Sequence, residues 1–348
     1  MRRLPIYLVI DVSESMAGDN LRHLQQGMER LVKSLRADPY ALETAYLSVI
    51  AFAGRAKTLT PLVDLLSFYP PRLPLGSGTS IGAALTHLMD EIAKSVKRST
   101  PEVKGDFKPV VYFMSDGKST DDVGAALARW SKDFASRASL VAIGIGPYAD
   151  LEALGRLTPN VLRFEGSSDA DFRRFVDWIS ASVSSQSRSI GAGEPAKLSL
   201  EKVDPSIMRK IDDIAQATAV DEDFVIINGK CQQTRLPYLI RFDRQRSEVG
   251  TRDFAVDTSR YVISGVFPAE ADFAELSDPR ATSRTVSTAQ LVGSPGCPHC
   301  GASVAMASCS CGQIFCVSGP GKATCPGCER TLDMVASEGE FDISRARG

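Results

Sequence analysis

The sequence lacks any apolar run of about 18 residues, the minimum for a helix that crosses a bilayer. It also lacks an excess of charge of one sign: 40 Lys+Arg stand against 42 Asp+Glu, a formal net charge of −2, which argues against a strongly basic nucleic-acid binder. There is no internal repeat and no long low-complexity tract. Cysteine is nearly absent from most of the chain, since of eight only Cys231 lies outside residues 297–328, and that clustering excludes a chain-wide disulfide framework. With 43% hydrophobic and 24% charged residues, general disorder is excluded as well. A length of 348 residues suggests about two domains with room for a small third.

The chain opens MRRLPIYLVIDVSESM, where two arginines precede a short apolar run and no small-residue cleavage site follows. This predicts a buried strand rather than a signal peptide, and so a soluble, cytoplasmic protein with no membrane insertion. In a reducing compartment, clustered cysteines more often hold metal than form disulfides.

From residue 4 to about 184, short apolar runs alternate with segments of helical period, the pattern of an α/β fold with a doubly wound, mostly parallel sheet. Predicted strands are 4–10, 45–52, 109–114, 140–145 and 161–164. Helical spacing relates Leu21, Leu24, Met28, Leu31, Val32 and Leu35, and likewise Ile81, Ala84, Leu85, Leu88, Ile92 and Val96. A last helix is expected over 172–183. The Ser/Gly-rich stretch that follows marks a linker at 185–195. Residues 196–290 read as a small, mostly β segment, with one helix suggested by Ile207, Met208, Ile211 and Ile214 and strands near 224–227, 238–242 and 261–267. Residues 291–348 form the cysteine-rich end.

Asp11-Val12-Ser13-Glu14-Ser15 follows the first strand, and Met114-Ser115-Asp116-Gly117 ends a later one. Between them, Gly76-Ser77-Gly78-Thr79-Ser80 precedes the Ile81 helix. Ligand sites in doubly wound sheets lie at the carboxyl ends of strands, where these segments fall. Two carboxylates (Asp11, Asp116) and three hydroxyls (Ser13, Ser15, Thr79) suit a hard divalent cation, which would relieve the repulsion between the aspartates. The competing reading is that the hydroxyls cap helices. Glu14 is expected in solvent, and His23 and His87 as ordinary surface or interface residues. A Mg2+-dependent phosphate hydrolase is the enzymatic alternative. Ser13 weakens it, because aspartate-nucleophile phosphotransferases usually carry a second aspartate there, and no Walker lysine or nearby cysteine-histidine pair supports it.

At the other end, CPHCG from Cys297 and CPGC from Cys325 are two turns of metal-knuckle type. Cys297, Cys300, Cys325 and Cys328 are therefore expected to hold one tetrahedral Zn2+ as a zinc ribbon, joined by a hairpin of 303–308 and 313–317. Cys309, Cys311 and Cys316 remain as part of a second metal site, as reactive thiols or as buried small hydrophobes. His299 reads as an exposed turn residue and Cys231 as a core residue. A nucleic-acid-binding ribbon is a further alternative, disfavoured because from residue 287 onward Lys322, Arg330, Arg345 and Arg347 face five acidic residues.

Asp-x-Ser-x-Ser, the loop threonine and the later Asp-Gly together resemble the metal-ion-dependent adhesion site of von Willebrand factor A domains, over residues 1–184. The resemblance implies that Ser13, Ser15 and Thr79 bind Mg2+ (or Mn2+ or Ca2+) directly and that Asp11 and Asp116 act through bound water. It also implies that the metal takes a carboxylate from a partner protein. The opening MRRLPIYLVIDVSESM, the run FYPPRLPLGSGTSIGAALTHLMDEI and the CPHCG, CSCG and CPGC turns are similar to the TerY family of bacterial tellurite-resistance and chemical-stress systems. That resemblance implies a non-enzymatic cytoplasmic scaffold, linked to a Ser/Thr kinase and a PP2C-type phosphatase.

Overall fold

The computed structural model describes residues 2–117, 119–146, 149–166, 168–191, 198, 200–210, 224–251, 254–277, 284–335 and 342–345. The chain divides into two compact units, Met1–Leu73 with Thr79–Ala219, and Pro74–Gly78 with Val220–Gly348. Each is described by itself.

The first unit is α/β. Its elements are β1 (Leu4–Asp11), α1 (Asp19–Ala37), α2 (Pro39–Thr44), β2 (Ala45–Phe52), β3 (Ala56–Asp64), α3 (Ile81–Ser95), β4 (Val110–Ser115), α4 (Gly124–Asp133), β5 (Ser139–Ile145), α5 (Leu151–Gly155), β6 (Val161–Phe164), α6 (Asp169–Gly191) and β7 (Met208–Lys210). The sheet order is β3-β2-β1-β4-β5-β6-β7. β1, β2, β4, β5 and β6 are parallel, and the antiparallel strands β3 and β7 close the two edges. Every residue of β1 and β4 is buried, as a continuous apolar run requires when helices cover both faces. Alternate residues serve the two faces: Tyr7, Val9, Val111 and Phe113 pack with Ile81, Leu85 and Leu88 of α3. Tyr112 turns the other way and meets the Trp178 ring of α6 edge-on at 6.3 Å.

Three expectations change here. Met208 lies in strand β7, paired with Phe164, not in a helix, because the β6 edge offers an unpaired ladder; Ile211 and Ile214 fall outside the described residues. The last helix runs to Gly191 rather than Val183, taking in the first part of the expected linker, and residues 192–195 are not described. Three serines of this stretch are not solvated: Ser182, Ser184 and Ser187 are buried, so small side chains here let the helix pack closely. Two edge strands, β3 and β7, were not anticipated; β3 carries Pro61, which an edge strand tolerates.

The second unit contains β8 (Phe224–Lys230), β9 (Pro237–Thr251), β10 (Phe254–Pro268), β11 (Arg284–Ser287), β12 (Leu291–Val292), β13 (Val304–Ser308), β14 (Ile314–Val317), β15 (Gly321–Thr324), β16 (Thr331–Met334) and β17 (Asp342–Arg345). One sheet has the order β12-β10-β9-β8-β14-β13. The expected β13–β14 hairpin is present, and β14 also pairs in parallel with β8, Ile314 against Gly229 and Phe315 against Lys230. The middle segment and the cysteine-rich end therefore share a sheet. Two small pairs, β11–β17 and β15–β16, complete the unit.

Candidate metal centres

The strand order reverses between β1 and β4, so the crevice between their carboxyl ends is the switch point of the sheet. Asp11 ends β1, and Ser115 ends β4 with Asp116 directly after it; Ile10 pairs with Met114, which brings these ends level. Asp11, Ser13, Thr79 and Ser115 are fully buried, Ser15 and Asp116 nearly so. Asp11 Oδ1 accepts from the Ser13 amide at 2.9 Å, and Oδ2 from the Ser115 hydroxyl at 2.5 Å. The Ser13 and Ser15 hydroxyls lie 2.9 Å apart.

None of the three hydroxyls acts as a helix cap. Ser13 precedes the short 3-10 turn Glu14–Met16 without a side-chain cap bond, α1 is preceded by Gly18, and α3 by Ser80. The amides at the start of α3 are taken by Asp121, whose oxygens accept from Gly82 at 3.1 Å and Ala83 at 3.0 Å. Thr79 is held by its backbone, its amide donating to Thr120 Oγ1 at 3.0 Å and its carbonyl accepting from the Thr120 amide at 2.7 Å. Its own hydroxyl is buried with no hydrogen-bond partner among the described residues. A buried hydroxyl without a partner costs free energy, and a cation at that point would satisfy it.

Burial pushes the Asp11 carboxyl well above the ordinary carboxylate range, and the Asp116 charge adds to this; hydrogen bonds from Ser115 and Ser13 offset only part. Two buried carboxylates with oxygen donors around them fit a hard divalent cation in both charge and donor type. Gly117 follows with φ +79°, and a Cβ there would collide with the Asp150 carbonyl oxygen. The Asp150 amide in turn donates to the Asp116 carbonyl at 2.6 Å, so this glycine lets the α5 approach press against the site.

Sequence reasoning missed Ser115, Thr120 and Asp121, which act on the site through other groups. Ser115 had a signal in its position beside Asp116 at a strand end. Glu14, expected in solvent, is fully buried, because the 3-10 turn buries all three of its residues. His23 is buried too, with Nε2 in hydrogen-bond contact with Asp169 Oδ1, while His87 is half-buried with Nε2 2.8 Å from Thr58 Oγ1.

The cysteines form two groups instead of one site and a remainder. Cys231, Cys297, Cys300 and Cys316 bring all four Sγ atoms within 4.8 Å of one another, and so do Cys309, Cys311, Cys325 and Cys328. The expected set Cys297, Cys300, Cys325 and Cys328 is thus split between them. Cys231 is a member of the first group rather than a mere core residue. The Sγ–Sγ contacts are 3.6 Å for Cys300–Cys316, 3.9 Å for Cys231–Cys316, 3.6 Å for Cys309–Cys328 and 3.7 Å for Cys311–Cys325. A tetrahedron with Zn–S arms of about 2.3 Å has edges of ~3.8 Å, and these contacts match such edges.

Three turns present these thiols with one backbone pattern. The amides of Cys231, Cys297 and Cys325 donate to the carbonyls of Leu236, Ala302 and Arg330, and the amides of Arg235, Gly301 and Glu329 return to the three cysteine carbonyls. The returning residue has positive φ each time, 62° at Arg235, 72° at Gly301 and 61° at Glu329. The Cys231 turn is therefore a metal knuckle in which Thr234 stands where the others carry their second cysteine. Its positive-φ residue is an arginine, so neither a second cysteine nor a glycine marks the turn in the sequence.

Strand alternation separates the two groups. On β14, Ile314 and Cys316 belong to the cluster around the first group, and Phe315 and Val317 to the cluster around the second. Backbone amides support the sulfurs, Gln232 to Cys316 at 3.2 Å, Thr234 to Cys231 at 3.4 Å and Gly327 to Cys325 at 3.4 Å. Burial opposes ionisation of Cys231, yet hydrogen bonds from Thr234, Gln233 and Cys300 together hold its thiol below the usual range. The Cys311 amide does the same for Cys309, while burial pushes Cys316 up. Four thiolates this close need a cation to coexist. His299 stands apart from both groups, half-buried, with Nε2 2.8 Å from the Pro237 carbonyl oxygen.

A family model of the von Willebrand factor type A domain matches residues 6–177, and one described as TerY-C metal binding domain matches residues 221–348. No curated protein matches the chain. Among solved structures, the chain is similar to proximal thread matrix protein 1 from the mussel byssus, with 21% identity over 52% of this chain and 48% of that chain and a TM-score of 0.39. A further structure of that mussel protein has a zinc-occupied MIDAS motif, with 19% identity, 52% and 48% coverage and a TM-score of 0.39. A von Willebrand factor type A protein from Catenulispora acidiphila matches with 14% identity over 82% of this chain and 60% of that chain, TM-score 0.42. The chain spans about half the length of the mussel protein. Among the described residues, no helix is long and apolar enough to cross a membrane.

Proposed function

Because the chain joins a von Willebrand factor type A domain to a TerY-C metal binding domain, we propose that it is a non-enzymatic cytoplasmic scaffold that captures protein partners through a bound metal. In this reading Mg2+, or Mn2+ or Ca2+, binds to the hydroxyls of Ser13, Ser15 and Thr79, and Asp11 and Asp116 act through water. The remaining position accepts a carboxylate from the partner. Each four-cysteine group holds one Zn2+, which ties together turns that have little apolar core of their own. By resemblance to TerY proteins, the setting is a tellurite or chemical-stress response, and the partners are a Ser/Thr kinase and a PP2C-type phosphatase.

The observation that carries this reading is the buried Thr79 hydroxyl, without a hydrogen-bond partner among the described residues, on a loop that the Ser80 amide ties to Ala53 just past the carboxyl end of β2, the neighbour of the strand that ends in the buried Asp11. The test is capture of cytosolic partners by wild type and by Asp11→Ala, each with Mg2+, after a melting curve has shown that the variant folds. Partners held by wild type and lost by the variant support the reading. Equal retention by both would overturn it.

A further inference from the structure

At the edge of the first unit's sheet opposite Asp11 lies a groove of about 280 Å³, between the end of α3, the entry to β4 and the end of α4. We propose that it docks an acidic peptide segment of a partner protein, anchored by one aromatic or large aliphatic side chain. This goes beyond the metal-dependent capture and does not depend on it.

The floor is apolar. Ile92, Val96, Phe107 and Phe134 line it, and Trp130 stacks behind Phe134 with ring centroids 6.1 Å apart and 8° between planes. The rim is cationic: Lys97, Arg98, Lys108 and Arg137 all line the groove, and none makes an ion pair among the described residues. Arg137 instead lies over the Phe134 ring, 4.8 Å from its centroid, and its Nε donates to the Asp133 carbonyl. Asp106 is the one carboxylate among the lining residues, and it is already committed. It pairs with Arg3 at 2.5 Å and accepts from the Lys97 amide at 2.7 Å. Among the lining residues, four cations thus stand against one carboxylate that is already paired, so the charge of the lining is positive.

The surrounding backbone is built to hold this shape. The strap from Ser99 to Gly105 is tied across its base, the Gly105 amide donating to Ser99 Oγ at 3.0 Å. A side chain at Gly105 would strike the backbone of Lys97 and Arg98. The same strap presents Val103, 65% exposed.

Space and charge together select the occupant. A cavity of roughly 150 Å³ holds a benzene ring, so this groove admits a larger anchor such as an indole. Lys97, Arg98 and Arg137 are exposed, so a small organic anion would stay largely wet, whereas small-ligand sites bury most of their ligand. A peptide seats one apolar anchor on the floor and spreads its carboxylates over the four cations, the arrangement expected of an aromatic hot spot within a complementary charged rim.

The experiment uses the full chain and fluorescence anisotropy of a short labelled peptide in which glutamates flank one tryptophan. The proposal expects saturable binding that persists when Mg2+ is omitted and weakens with salt. It expects a loss of roughly tenfold when Arg98→Glu and Lys108→Glu are combined, and a similar loss when the peptide's tryptophan becomes alanine. Four outcomes would overturn it: no saturable binding, binding indifferent to the charge reversal, binding that vanishes without Mg2+, or tighter charge-dependent binding of an oligouridylate or of phenyl phosphate. The Mg2+ arm separates failure of this groove from failure of the metal-dependent reading.

Discussion

The Ser115 hydroxyl donates to Asp11 Oδ2 at 2.5 Å, joining the carboxyl ends of β4 and β1 across the point where the sheet reverses its order. With the Ser13 amide on Oδ1, this bond leaves the buried Asp11 carboxylate one orientation. Ser115→Ala is expected to lower Mg2+ affinity by about tenfold or more, as loss of outer support does at other metal sites. The melting temperature should fall as well, because the buried Gly117 amide, which donates to Ser115 Oγ at 2.9 Å, loses its acceptor. Titration calorimetry checks it, and unchanged affinity would mean that Ser115 does not position Asp11.

The Asp11 carboxyl is pushed up to about 8, by burial first and then by Asp116. A carboxyl with a higher pKa in the folded than in the unfolded chain destabilises the fold as it ionises. Protein free of Mg2+ should thus lose stability as the pH rises from about 4 toward about 8. Mg2+ offsets the carboxylate charge, so the gain in melting temperature on adding Mg2+ should grow over that range. Asp11→Asn should flatten the dependence. A Mg2+ effect that is the same at low and high pH would contradict this account.

The two cysteine groups predict about two zinc ions per chain. Cys231→Ser should remove one of them and leave the other, read by elemental analysis of purified protein. A content that stays at two would show that the first centre closes without Cys231.

Gly117 has φ +79° and no room for a Cβ beside Asp150. Gly117→Ala should cost at least about 1–3 kcal/mol, from left-handed strain with the collision added. It should also weaken Mg2+ binding, because Asp116 precedes it. Urea denaturation measures the first effect, and a variant as stable as wild type would sink the assignment.

The first unit was legible because its cues are local. The apolar runs of β1 and β4 announce strands buried on both faces, and strand ends followed by polar residues announce a site at a switch point. Asp11, Ser13, Ser15, Thr79 and Asp116 could be singled out for that reason. The helix end at Gly191 was misplaced because a serine-rich run reads as linker by composition, yet Ser182 and Ser187 are wholly buried. Glu14 and His23 were misread for a related cause, since burial of a polar side chain is decided by neighbours far along the chain.

The cysteines mark the limit most clearly. CPHC and CPGC each determine a knuckle, because the turn chemistry lies within a few residues. Which knuckle shares a metal with which is not local. Pairing of β14 with β8 brings Cys231 to Cys316, whose Sγ atoms lie 3.9 Å apart across 85 residues. Strand alternation then leaves the second group to the other face of β14. By itself, the sequence determined the buried parallel strands, the amphipathic helices between them, the CPHC and CPGC turns and the donor types, all set by period and near-neighbour hydrogen bonding. Only tertiary structure decided how the thiols are divided, that the Thr79 hydroxyl has no partner among the described residues, and that four cations ring an apolar groove, because each depends on long-range packing.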